Sequence, residues 1–142
     1  MSNTINPNNG AFLLRVTLGT VLLAHSLYLK LVIFTLAGTA QYFSSIGLPG
    51  ILAYGVFLVE AVAGIALIPG WQVRFFSALA APVLLGATWA HWSSGWLFTN
   101  SGGGWEYPLF LTIAALVQFN LGAGSYALNL GGVKLHADTA EA

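Results

Sequence analysis

The chain has no cysteine among its 142 residues. That excludes disulfides, thiol redox chemistry, Cys-ligated zinc or iron–sulfur clusters, and covalent haem attachment. A redox role would have to borrow its electron carrier. Charge is equally scarce, with Asp, Glu, Lys and Arg making up 6% of the residues against about 25% in soluble domains. Four basic and four acidic side chains leave a net charge of zero. There is no basic face to neutralise phosphates and no acidic tail to hold cations, so nucleic acid is not an expected partner. No lipidation signal is present, because Gly does not follow Met1 and there is no cysteine to acylate. The opening "MSNTINPNNG" lacks the basic n-region of a secretory signal, and the apolar stretch after it is too long for a signal h-region, so the first hydrophobic segment is expected to be retained.

What fills the chain instead is apolar: 57% of residues are hydrophobic. Segments of membrane-spanning length run over about 12–34, 51–68, 72–92 and 106–128, each close to the ~20 residues that a bilayer core requires. The expected fold is all-α, an integral membrane four-helix bundle forming one domain over 12–130. A polar segment 1–11 precedes it and a polar tail 131–142 follows. Gly and Pro punctuate the connections "TAQYFSSIGLPG", "PGWQ" and "SSGWLFTNSGGGWEYP". In the first of these, Tyr42, Phe43 and Ile46 fall at helical spacing, which predicts a short interfacial helix over 39–48.

With the N-terminus inside, Arg15, Arg74 and Lys134 lie on the cytoplasmic side and Lys30 outside, the arrangement the positive-inside rule favours. Both termini are then cytoplasmic. Trp89, Trp92, Trp96 and Trp105 gather around the third connection, as amphipathic rings do at a membrane–water interface. In this frame Arg15 and Arg74 read as topology anchors.

Glu60 stands near the midpoint of the second segment, which is about 27 Å long at 1.5 Å per residue. A carboxylate at that depth costs at least ~2.5 kcal/mol, so it is expected to face the bundle and find a partner or a proton. Ala53, Glu60 and Gly64 lie within about 60° on a helical wheel, so the stripe carrying the glutamate is otherwise small. His25 and Lys30 on the first span, His91 on the third and Glu106 at the start of the fourth fall in the same outer half. On the third helix Ser77, Ala81, Leu84, Thr88 and His91 form a small and polar stripe that can face Glu60. Pro108 suits the first turn of the fourth helix, and Glu106 complements its positive end.

Each of these residues also has a plain structural role open to it. Lys30 can snorkel, His91 can sit in the interface, His25 can be a packed hydrogen-bonded histidine, and Glu106 can be only a helix-start acid. A lone midplane carboxylate has no common structural role, which makes Glu60 the strongest candidate. "NSGGGW" lacks the preceding strand and the helical Lys-Thr of a phosphate loop. A haem between His25 and His91 is disfavoured by a depth difference of about 8 Å between upright helices.

The stretches "LLRVTLGTVLLAHSLYLKL", "YFSSIGLP", "LVEAVAGIALI", "AHWSSGWLFTNSGGGWEYPL" and "LGAGSYAL", in this order from about residue 11 to 130, resemble the DoxX family of small four-helix membrane proteins. The resemblance implies that Arg15, His25, Lys30, Glu60, His91, Asn100 and the run Glu106, Tyr107 and Pro108 occupy emphasised positions. Tyr28 departs from it, standing where a small residue or glutamine is more usual. The family takes its name from a membrane subunit associated with thiosulfate:quinone oxidoreduction, and relatives are linked to membrane oxidoreductase assemblies in bacteria. The resemblance thus implies a multi-pass subunit of the bacterial inner membrane acting with a quinone and a redox partner.

Three functional expectations follow. In the first, Glu60, His25 and His91 are the catalytic groups of a quinone site, with Lys30, Asn100, Glu106 and Tyr107 joining them in binding. In the second, the chain is a proton-coupled transporter using Glu60. In the third, it is a non-catalytic assembly or docking subunit whose buried charges set helix register. A homo-oligomer is compatible with all three.

Overall fold

The computed structural model describes residues 6–128. Lys134 and the polar tail from 131 lie outside the described residues, as do residues 1–5. Among the described residues the chain is all-helical. The order is α1 (Pro7–Leu23), a π-helical continuation (Ala24–Ile33), α2 (Leu36–Ser45), α3 (Ile51–Leu67), α4 (Val73–Ala90), a short 3-10 turn (Trp92–Ser94) and α5 (Glu106–Leu121).

The helix ends follow from their residues. Asn6 caps α1 by accepting the Asn8 amide at 3.0 Å, and Pro7 at the first position needs no amide partner there. The helix therefore starts ahead of the apolar run that opens at 12. Thr35 caps α2 by accepting the Gly38 amide, so α2 begins before the expected 39 and is over before Ile46. Gly47 (φ +85) then turns the chain, with the Leu48 amide donating to the Phe43 carbonyl at 2.9 Å. Pro108 falls in the first turn of α5, and Thr112 returns its hydroxyl to the Pro108 carbonyl.

The four long helices form a ring in which α3 packs on α1 and α4, and α5 packs on α4 and α1, while α2 lies mainly against α3. The α1–α3 crossing is close because glycines face each other. A Cβ on Gly64 would sit 2.9 Å from the Gly19 carbonyl oxygen, and one on Gly19 3.1 Å from that of Gly64. The interior is lined by small and medium side chains such as Ala53, Ala63, Ala66, Ala80 and Ala115, with Leu18, Leu22 and Leu67 between them. Large apolar side chains point outward instead, among them Leu13, Leu58, Ile65, Phe75, Leu85 and Phe110. By length and composition, Pro7–Ile33 and Val73–Ala90 are long and apolar enough to cross a membrane, and Ile51–Leu67 is apolar but shorter.

Arg15 has a packing role beyond marking topology. It is wholly buried, and its Nη2 donates to the carbonyls of Ser125 (3.2 Å) and Tyr126 (3.3 Å), holding the segment after α5 across the end of the bundle. Gly70 leaves it room, since any Cβ there would run into Arg15 Nη1.

Candidate functional site

The second half of the first helix is wound as a π-helix over ten residues. Side chains engage the carbonyls of the turn before it. His25 Nδ1 lies 2.8 Å from the Val21 carbonyl, and the Ser26 hydroxyl donates to those of Leu22 (2.9 Å) and Leu23 (3.3 Å). Such back-bonding competes with the α-helical ladder, although Thr20, Thr88 and Thr112 make it elsewhere in helices that remain α. The consequence of the wider winding is geometric. At about 4.4 residues per turn, as i→i+5 closure implies, residues five apart share a face, whereas an α-helix would set them ~140° apart. His25 and Lys30 therefore look the same way, together with Leu29 and Phe34.

They look into a cavity of about 950 Å³, walled by the π-helical segment, α2, α3 and α4. Glu60 forms part of its wall from α3. Lys30 Nζ donates to both Glu60 oxygens, at 3.0 and 2.7 Å, and the side chains retain 15% and 6% of their exposure, respectively. The buried carboxylate thus finds its partner on the neighbouring helix. The Gly19–Gly64 crossing draws those helices together.

Both other histidine candidates reach the same cavity. The Val21 and Gly102 carbonyls can only accept, so His25 and His91 each place a proton on Nδ1, the latter at 3.0 Å from the Gly102 oxygen. In the neutral rings this leaves Nε2 as an acceptor. Tyr107 lies against His25, with ring centroids 6.1 Å apart, and does not line the cavity. Asn100 and Glu106 are not in the wall either. Asn100 donates from Nδ2 to the Ser94 carbonyl at 2.8 Å, and Glu106 accepts the Phe98 amide at 3.0 Å, so both brace the 91–105 loop. In that loop Trp105 stacks on Trp92 and meets Trp96 edge-on.

The structure also brings into the wall residues that the sequence did not mark as site candidates. Gly38, Thr39, Tyr42 and Phe43 make α2 a wall of the site. On α4 the cavity face is Val83, Gly86, Ala87, Trp89 and Ala90, whereas Ser77, Ala81, Leu84 and Thr88 are buried in the bundle. The small and polar stripe is real, but it faces the helical core, and only His91 at its end joins the site. The polar groups are few and the rest of the lining is apolar, the usual make-up of a site for an apolar molecule with a polar end. No cluster of three or more metal-ligating side chains occurs among the described residues.

An all-helical bundle with one buried ion pair at the side of an apolar cavity defines the class. The DoxX family model matches residues 10–92, which takes in α1 from Gly10 through α4 and every cavity residue but Gly102. The chain belongs to the DoxX family. A relative in Bacillus subtilis (strain 168), "Putative oxidoreductase CatD", is 36% identical over 78 residues, a match covering 55% of this chain and 56% of that protein. No solved structure matches.

Proposed function

We propose that the protein is the membrane subunit of a quinone-linked oxidoreductase and that its cavity holds the quinone. The observation that carries this reading is the union of His25, Lys30, Glu60 and His91 in one otherwise apolar cavity of about 950 Å³. Support for the membrane setting comes from the reversal of ordinary side-chain placement. The interior is rich in alanine and the outer faces carry leucine, isoleucine and phenylalanine, the packing expected when lipid is the solvent. All four long helices then span the bacterial inner membrane, with α2 in the outer interface and both termini inside.

A quinone supplies two-electron, two-proton redox chemistry when bound. The residues meet its requirements as follows. The Lys30 ammonium keeps a third hydrogen for a quinone carbonyl oxygen, and Nε2 of His25 and His91 can accept from a quinol hydroxyl or donate once the ring is protonated. Glu60, on the other side of Lys30, can take a proton at its carboxylate and return it. The apolar wall excludes water from the pair. Electrons come from a partner subunit or its substrate. The transporter reading is weaker, because Lys30 already occupies the carboxylate where a transported cation would bind.

The test is mass spectrometry of the protein purified in mild detergent, identifying small molecules and co-purifying chains, with Glu60→Gln in parallel. Stoichiometric quinone in the wild type and its loss in the variant are expected. A preparation free of quinone and of any redox partner would refute the reading.

A further inference from the structure

We propose that Gly86 decides which ligands the cavity admits, because an apolar body has to lie against it for a polar head to reach the Lys30–Glu60 pair. The inference rests on the quinone reading and names the form of quinone: one carrying an apolar tail.

The cavity walls are unequal. Phe34, Tyr42, Phe43 and Leu52 supply bulk from one side, whereas α4 presents Val83, Gly86, Ala87 and Ala90 beside a single large side chain, Trp89. Space around Gly86 therefore comes from a side chain that is missing. Gly86 has no other reason to be glycine. Its φ is not positive, and a Cβ built on it meets nothing within 4 Å. Gly19 and Gly64 differ, since a helix crossing depends on each of them. Glycine inside a helix is disfavoured relative to alanine, and at Gly86 the return is open volume in the cavity.

Its level matters as much as its size. At 1.5 Å per residue, Glu60 lies about 14 Å from the start of α3, and Gly86 about 6 Å from the end of α4. These two helix ends lie side by side, with His91 and Gly102 at the rim. Gly86 stands between the rim and the ion pair. A cavity of about 950 Å³ is at the top of the ~300–1,000 Å³ range of small-molecule sites, and a bare quinone ring would leave most of it unfilled. A head at Lys30 with a tail running past Gly86 fills it.

Gly55 provides the control. It is also helical with no atom within 4 Å of its Cβ position, and it lies outside the cavity wall. The experiment titrates decylubiquinone into wild type, Gly86→Leu, Gly86→Ala and Gly55→Leu in nanodiscs, reading tryptophan quenching, with Trp89 in the cavity wall as a reporter. Gly86→Leu is expected to weaken binding about tenfold or more, the size of effect that overpacking produces. Gly86→Ala should weaken it by a smaller factor, and Gly55→Leu should bind as wild type does. Equal binding by wild type and Gly86→Leu would overturn the inference while leaving the quinone reading intact, as would an equal loss in Gly55→Leu. If Gly86→Leu does not fold, Gly86→Ala decides, and wild-type affinity there would overturn the inference. Absence of binding by the wild type removes both readings.

Discussion

Replacing Lys30 by methionine tests how the buried pair is held. The ammonium donates to both Glu60 oxygens at 2.7 and 3.0 Å, and the glutamate side chain keeps only 6% of its exposure. Two contributions are lost together. The attraction itself disappears, and the carboxylate stays buried without compensation, which is the larger penalty, about 3–5 kcal/mol for a broken buried pair. Glu60→Gln should cost less, because Lys30 is the more exposed partner and can extend toward the interface. The double variant Lys30→Met/Glu60→Gln removes both charges, and charge-free replacements of buried pairs are often neutral or stabilising. It should therefore be more stable than Lys30→Met alone, with a coupling of at least ~2 kcal/mol between the positions. The assay is unfolding in mixed micelles by increasing SDS, followed by tryptophan fluorescence on all four proteins of the cycle. If the single effects simply add in the double variant, the pair is not energetically coupled and Lys30 is not what compensates the burial of Glu60.

Two further predictions concern backbone geometry. Thr35 sits at φ 60, ψ 156, a region that costs a non-glycine residue ~1–3 kcal/mol, while its hydroxyl caps Gly38. Thr35→Gly should be stabilising by ~0.5–1.5 kcal/mol, since strain is relieved and glycine loses only a few tenths as a cap. Thr35→Ala should cost ~1 kcal/mol. Unfolding midpoints that rank alanine above threonine would contradict this. Gly70 has φ +89 and leaves no room for a Cβ beside Arg15 Nη1. Gly70→Ala should therefore destabilise by ~3 kcal/mol, from the left-handed backbone plus displacement of the guanidinium. It should also speed proteolysis at 122–128, measured by limited digestion, because Arg15 holds the Ser125 and Tyr126 carbonyls.

Much was legible in the chain itself. Apolar run lengths and Gly-Pro punctuation locate the starts of α3, α4 and α5 to within a residue, because those signals are local, whereas α1 starts five residues before the apolar run and α5 ends at Leu121, seven residues short of 128. Pro108 marks the start of α5, and the scarcity of charge singles out Glu60 as a residue needing a partner. The ordered motifs give the DoxX resemblance, which the family match over residues 10–92 upholds. The outer-half placement of His25, Lys30 and His91 near Glu60 makes them candidates without saying which of them meet.

The partner of Glu60 could not be read that way. Lys30 is thirty positions away, and its aim depends on a π-winding that a 3.6-residue template does not register. His25 and Ser26 engage the preceding turn there, but Thr88 and Thr112 do the same in α4 and α5, which stay α-helical, so side-chain type alone does not set the winding. The same limit applies to Arg15, whose basic charge near a helix end implies an anchor without showing that carbonyls 110 and 111 residues away close over it. It applies also to the α4 stripe, for which periodicity groups the residues without saying which neighbour they meet. A sequence pattern fixes what shares a face of one helix. Which face meets which is set by helix crossings such as Gly19 against Gly64, and these exist only once the chain is packed.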